Sequence, residues 1–527
     1  MPVWNSQLDD EVLIDGTVPI AGVDNSQPPN AIGPTLAANG ENRLTQQDGL
    51  NRPRPGIIRL VQTAAPTKSL DSMHHLGVGV FLINDGPKWY SYDSRSNVLT
   101  TLSGGPAYAA KAQVYSALAD KTLYFSIGTA LSKYLPGTGF GTVTLLAQYP
   151  TALYPIWVVE RLVYVFGNTL VVSDILSPEV WDLATQTLTI DPIASDIITG
   201  QCIWQTQRIA VFRSGSTWVV ETGPNLPVLD WELNRVSGTI GCCCHGTIVQ
   251  CGADVYFLSE TGRGVYALSQ APASTQQGVW QPLSLPIKHY IDRINWSAIA
   301  NARATYWNDL YLLSVPLDGV TYNNFILIYS VTLGTWQGLW CLDINGVDTA
   351  VRDFARDRTN PDATLLLIGT VDGIVSRVTY PIERRYFDQN IDGSKVGINS
   401  DLLSRSFTFS GSNVSQQYTV GGIINQIQPH SARFQFLESD DPVDITIWAD
   451  RTIELLKKST PTNNYRLSLT IPGFPFDLDK EGYYNLPISL MNVGICTEMQ
   501  VELAGPGNWT LYQIKCSAFE AMPLESL

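Results

Sequence analysis

The chain has 527 residues, of which 44% are hydrophobic, 10% aromatic and only 15% charged, with a formal net charge of −15. That length exceeds one ordinary core and predicts two or three domains. The hydrophobic content excludes bulk disorder, and the acidic balance argues against an electrostatic nucleic-acid binder, which needs basic patches.

No apolar run approaches about 18 residues, so no transmembrane helix and no membrane insertion are expected. The N-terminal MPVWNSQLDDEV has neither a basic n-region nor an apolar h-region, so synthesis in a reducing cytoplasm is expected. Eight irregularly placed cysteines do not make a disulfide framework.

Residues 1–56 are rich in Pro, Gly, Asn, Asp and Gln. They read as an extended arm with little structure of its own. It either grips a neighbouring subunit or lies on its own domain. Pro53 and Pro55 bar a helix, so Asn51–Gly56 is a stiff lead-in to a strand over Ile57–Gln62.

Residues 57–390 carry a repeated phrase: an apolar strand, a turn and a second apolar strand. It occurs at 79–92, 122–134, 162–174, 208–221, 254–268, 309–330 and 363–375. The spacing of about 40 to 55 residues predicts a β-propeller with one blade per phrase. The count is about six or seven, since one phrase can be an inserted hairpin. The last phrase, Ala363–Val375, lacks an outer strand, and Ile57–Gln62 is predicted to complete that blade and close the ring. Asn308-Asp309 marks a hairpin corner. Short helices are predicted over Ala107–Ala119 and Pro286–Ile294, the latter with Pro286 near the helix start.

Residues 391–527 change character. Arg405–Phe409, Ala432–Leu437, Val443–Trp448, Tyr465–Ile471, Glu498–Leu503 and Trp509–Ser517 alternate apolar and polar residues, as half-buried antiparallel strands do. They predict a β-sandwich. The expected fold class is therefore all-β: a β-propeller of about six or seven blades followed by a C-terminal β-sandwich.

Few groups suggest chemistry. Cys242-Cys243-Cys244-His245 with Cys251 is the most concentrated thiol cluster, but adjacent cysteines on extended chain point to opposite faces, and a tetrahedral zinc site needs four converging ligands. His74-His75 has no carboxylate at ligand spacing. Gly137–Gly141 lacks the Lys-Ser/Thr and helix of a phosphate-binding loop and reads as a hairpin turn. Asn295, Asn413 and Asn508 head glycan-acceptor triplets, read as chance without a secretory signal. Asp85-Gly86, Asp318-Gly319 and Asp372-Gly373 are turn chemistry. A propeller glycosidase would require a pair of carboxylates in the propeller mouth; no carboxylate recurs at a fixed blade position, which weakens that reading. No catalytic, cofactor-binding or metal residue is assigned, no cofactor is expected, and the expectation is a non-enzyme.

Several stretches resemble the tail tube-end proteins of short-tailed phages, the nozzle or hub family. They are Gly241–Leu268 with its ADVYFLSETGRGVYAL; ATYWNDLYLLSVPLDG and NNFILIYSVTLGTWQGLW within 304–340; TLLLIGTVDGIVSRV at 364–378; the lead-in Asn51–Gly56; Ile471–Pro475; and the closing Trp509–Ala518. The resemblance spans about 50–510; the three adjacent cysteines depart from the pattern. It implies a structural virion protein of the tail: a homo-oligomer forming a six-fold ring below the portal and adaptor. Such a ring continues the DNA channel without specific DNA binding and anchors tail fibres or spikes. A closed ring needs head-to-tail interfaces, and an acidic channel lets DNA slide. The competing readings are a receptor- or carbohydrate-binding propeller and a propeller glycosidase.

Overall fold

In a computed structural model, the described residues are 12–14, 21–28, 31–32, 36–45, 50–63, 69–109, 112–191, 196–271, 280–344, 347–348, 350–357, 365–380, 387–404, 427–439, 443–449, 453–459, 477–478, 484–489, 499–505 and 509–520. The predicted strands Arg405–Phe409 and Tyr465–Ile471, the phrase Ile471–Pro475 and the triplets at Asn413 and Asn508 lie wholly or partly outside them.

The repeated phrase is the second and third strand of each blade. In blade 1 these are Val80–Asn84 and Trp89–Asp93, flanked by Ser72–Gly77 and Val98–Leu102. Blades 2, 3 and 4 repeat the four-stranded meander from Tyr115–Ala119 to Gly139–Thr142, Leu153–Val158 to Thr187–Thr189, and Ile198–Trp204 to Glu232–Ser237. Blade 5 has three strands, Val249–Cys251, Asp254–Ser259 and Gly264–Ala267. Blade 6 runs from Arg303–Trp307 to Thr335–Cys341, and blade 7 joins Val351–Arg356, Leu366–Thr370 and Ile374–Val378. The first strands neighbour one another in chain order, and the seventh returns to the first, so the ring closes. The chain thus builds a β-propeller of six four-stranded blades and one three-stranded blade.

The second strands are buried along nearly their whole length, and packed aliphatic and aromatic clusters fill the space between successive blades. A blade is a sheet with two apolar faces, so each must be covered by a neighbour. The turn between first and second strands recurs as two residues with positive φ: Val159 and Glu160 at 44° and 60°, Gln205 and Thr206 at 50° and 43°, Asn308 and Asp309 at 47° and 65°. That geometry matches the right-handed strand twist. Arg161 and Arg208 therefore open second strands.

The predicted clasp is present. Ile57–Gln62 pairs antiparallel with Ile374–Val378 and is the fourth strand of blade 7. Asp372 serves this clasp as well as its own turn: its carboxylate lies 3.5 Å from Arg59, and its carbonyl accepts from Gln62 Nε2 at 3.2 Å. In blade 5 the missing fourth strand is replaced by an irregular segment, with Leu283 N–H donating to the Val265 carbonyl and Ser284 Oγ accepting from Val265 N–H.

Two expectations need correction. Tyr115–Ala119, inside the predicted helix Ala107–Ala119, is the first strand of blade 2, paired residue by residue with Thr122–Ser126. Tertiary pairing overrides its alanine-rich helix propensity. The arm also has more structure than expected. Asn39–Glu41 lies between the outer strand of blade 6 and Ser400–Leu403, while Arg43–Thr45 and Asn51–Pro53 form a hairpin beside Trp509–Glu520. Its short strands exist because sheet edges on both sides supply partners. The second predicted helix is found as a turn over Leu285–Ile287 followed by Lys288–Asp292.

Beyond the propeller, Asn39–Glu41 together with Ser400–Leu403, Met499–Gly505, Asp444–Ala449 and Ile453–Ser459 extends the sheet of blade 6 to nine strands. A second sheet contains Ile427–Ser439, Tyr484–Ser489 and Trp509–Glu520. Val443, Ile445, Ile447, Val501 and Leu503 are buried, as the alternation predicts.

Candidate functional site

Three groups of side chains stand out, and none was singled out as a site by sequence reasoning. The first fills the propeller axis. Tyr115 of blade 2, Tyr154 of blade 3 and His245, in the turn leading to blade 5, form an aromatic knot with ring centroids 4.6–4.9 Å apart. Tyr115 OH donates to Gln113 Oε1 at 2.6 Å, and Gln113 Nε2 reaches the Ala300 carbonyl before blade 6, a bond across the ring. On the other side, His74 Nδ1 and Ser116 Oγ are 2.8 Å apart.

Charge within the axis is balanced. Arg303 approaches Asp353 at 3.7 Å, Arg352 approaches Asp71 at 3.5 Å, and Asp353 also accepts from Met73 N–H at 2.8 Å. Burial depresses His74 and His245 to about 3, so both imidazoles are neutral at physiological pH. Burial lifts the Tyr115 phenol to about 12. A general acid or base works best with a pKa near the working pH; these groups are tuned away from it. What the arrangement does is tie blades 1, 2, 3, 6 and 7 together across the axis.

The second group is the arm junction. Arg43 is buried with its guanidinium 3.6 Å from the Trp509 ring centroid, donating to Asn51 Oδ1, the Asn51 carbonyl and the Trp509 carbonyl at 2.7, 2.7 and 3.1 Å. Arg54 makes a bidentate pair with Asp388 at 2.9 and 2.6 Å, and Ile57 N–H donates to the same carboxylate at 2.9 Å. Gly338, at φ 96°, lets the blade 6 backbone meet Gly40 of the arm, where a Cβ would overlap the Gly40 carbonyl.

The third group is acidic. Glu41, Asn399, Ser400, Asp401, Asp444, Ala504 and Gly505 line an open cavity of about 340 Å³. Strand register sets Glu41 directly opposite Asp401. Burial, then Glu502 and Glu41, hold the Asp401 carboxyl up at about 6.

The residues flagged from sequence disperse. His75 pairs with Asp357 at 2.9 Å, away from the axis-facing His74. Gly137 and Gly139 turn the outer hairpin of blade 2. Asn295 donates to the carbonyls of Gly319 and Val320. The cysteine cluster lies between blades 4 and 5, and among the described residues no group of three or more His, Cys, Asp or Glu is placed to hold a metal ion.

No family model matches this chain, and no curated protein matches it. Among solved structures it is similar to a streptogramin B lyase (TM-score 0.40, 10% identity, 62% of this chain and 97% of the other). It is also similar to BBS1N in complex with ARL6DN (TM-score 0.41, 12% identity, 62% and 98%). YCF48 bound to D1 peptide is a further likeness (TM-score 0.38, 9% identity, 62% and 98%). Likenesses of this size carry no argument about activity, ligand or partner.

Proposed function

We propose that this chain is a structural subunit of a phage tail, a nozzle or hub protein. Its copies form a closed, six-fold ring below a portal and adaptor and carry fibres or spikes. The observation that carries the reading is a set of exposed apolar side chains on loops of two adjacent blades. Leu176 (69% exposed) and Val180 (55%) lie on a loop of blade 3, and Leu229 (64%) and Leu226 (44%) on a loop of adjacent blade 4. Large apolar side chains left exposed on neighbouring loops suit a subunit interface. The woven arm junction suits a load-bearing part.

In this reading DNA passes along the centre of the ring of copies, because the axis of each propeller is filled by Tyr115, Tyr154 and His245. The net charge of −15 keeps DNA from adhering. The two C-terminal sheets, in the same reading, stack as a β-sandwich that presents fibre-binding loops. Mass photometry of the full chain, alone and with a portal–adaptor complex, tests the proposal. Closed rings of six copies are expected, and a strict monomer that ignores the connector would overturn it. Leu176→Glu with Leu229→Glu is expected to leave a folded monomer and abolish the ring.

A further inference from the structure

Cys243 and Cys244 sit in the segment that enters blade 5, and their sulfurs are 3.8 Å apart. Alternation along an extended chain would put neighbouring side chains on opposite faces. Here the segment is pinned so that they meet. Cys243 N–H donates to the Leu258 carbonyl in blade 5. The Cys244 carbonyl accepts from Cys242 Sγ and from Thr247 Oγ1. Cys244 Sγ lies 3.4 Å from the Ile299 carbonyl and 3.9 Å from that of Ala302, at the start of blade 6. Cys243 is part-exposed and Cys244 buried.

We infer that Cys243 and Cys244 are a redox-active vicinal pair that a peroxide closes to a reversible disulfide. The Cys244 sulfur attacks the O–O bond, giving a sulfenic acid and releasing one oxygen as water once protonated. The Cys243 sulfur then attacks the sulfenic sulfur. The S–S bond forms, the S–O bond breaks, and the second oxygen leaves as water. The two thiols together lose two protons and two electrons, and one peroxide becomes two waters.

Two further observations agree. The Cys243 S–H donates toward Cys244, and this bond, against burial and with help from the nearby Arg303 guanidinium, favours the Cys244 thiolate and holds Cys243 as the thiol; Cys202 and Cys251 are pushed up by burial. The thiolate is the reactive form. A trans peptide also holds the two Cα atoms about 3.8 Å apart, short of the roughly 4.4–6.8 Å of ordinary disulfides. The closed ring is therefore strained and easily reduced. Closure draws Cys244 Sγ from Ile299 and Ala302 and disturbs His245 in the axial knot, so oxidation loosens the seam between blades 4, 5 and 6.

The test is peptide mapping of the folded full-length chain after peroxide, with thiol alkylation under denaturing conditions. The expected result is loss of labelling at both Cys243 and Cys244, a mass lower by two hydrogens on their shared peptide, and restoration by dithiothreitol. Cys243→Ser is expected to stop at a sulfenic acid on Cys244 that dimedone traps. Both thiols still labelled, sulfinic acid at one of them, or a bond to Cys202, Cys242 or Cys251 instead would overturn the inference. The wild-type map decides it even where the variant does not fold.

Discussion

The sharpest perturbation is at Arg54 and Asp388, which join the arm to the strand Phe387–Gln389. Both side chains are 2% exposed. Removing one partner of a buried pair leaves an uncompensated charge and costs about 3–5 kcal/mol. Asp388→Ala also orphans Ile57 N–H, which adds roughly 1 kcal/mol. Arg54→Met leaves a buried carboxylate with one backbone donor, so it is expected to cost a similar amount. Arg54→Met with Asp388→Asn removes both charges and keeps an acceptor for Ile57. The double variant is expected to recover at least about 2 kcal/mol against the sum of the singles, as a directly coupled pair should. The assay is pulse proteolysis across a urea series on all four proteins. Singles within about 1 kcal/mol of wild type, or a double equal to the sum of the singles, would refute the claim that this pair locks the clasp.

Three more outcomes follow from the same geometry. Asp401 has a folded pKa of about 6, above its ordinary value, so its neutral form is favoured in the folded state and stability is lost as pH rises from about 4 through 6. Asp401→Asn is expected to raise the melting temperature at pH 7.5, by an amount worth about 1–2 kcal/mol after allowing for partial solvent screening, with the difference vanishing near pH 4. Gly338→Ala, which forces a Cβ onto the Gly40 carbonyl, is expected to cost at least about 2 kcal/mol and to make the arm more sensitive to protease. Trp509→Ala empties a fully buried site beneath Arg43 and is expected to cost about 4 kcal/mol, read as a fall in the urea midpoint.

The phrase that repeats in the sequence was legible because it covers second and third strands, which are apolar on both faces. First strands were harder to read. They face the axis and carry His74, Ser116, Gln201, Arg303 and Asp353, so their hydrophobic signal is broken by the residues that hold the blades together. Outer strands were harder still: Val98–Leu102 is largely exposed, and its Thr-rich stretch carries little pattern.

The arm junction was nearly invisible for a different reason. A buried arginine contradicts the general preference of that residue for the surface, and the partners lie far apart in the chain, 334 positions for Arg54 and Asp388 and 466 for Arg43 and Trp509. No local pattern encodes such pairs. What the sequence did carry was the pair of prolines ahead of Ile57 and the shortfall of one strand in the last phrase. Together they placed the clasp. The buried arginines explain why the clasp holds: the strand Ile57–Gln62 closes the ring, and Arg54 just ahead of it is tied to the segment that follows blade 7. Arg43, further back, is tied to the far end of the described chain. An arm anchored at both places must unfold together with the ring it closes, so the clasp, the junction and blade 7 are expected to lose protection from hydrogen exchange as one unit.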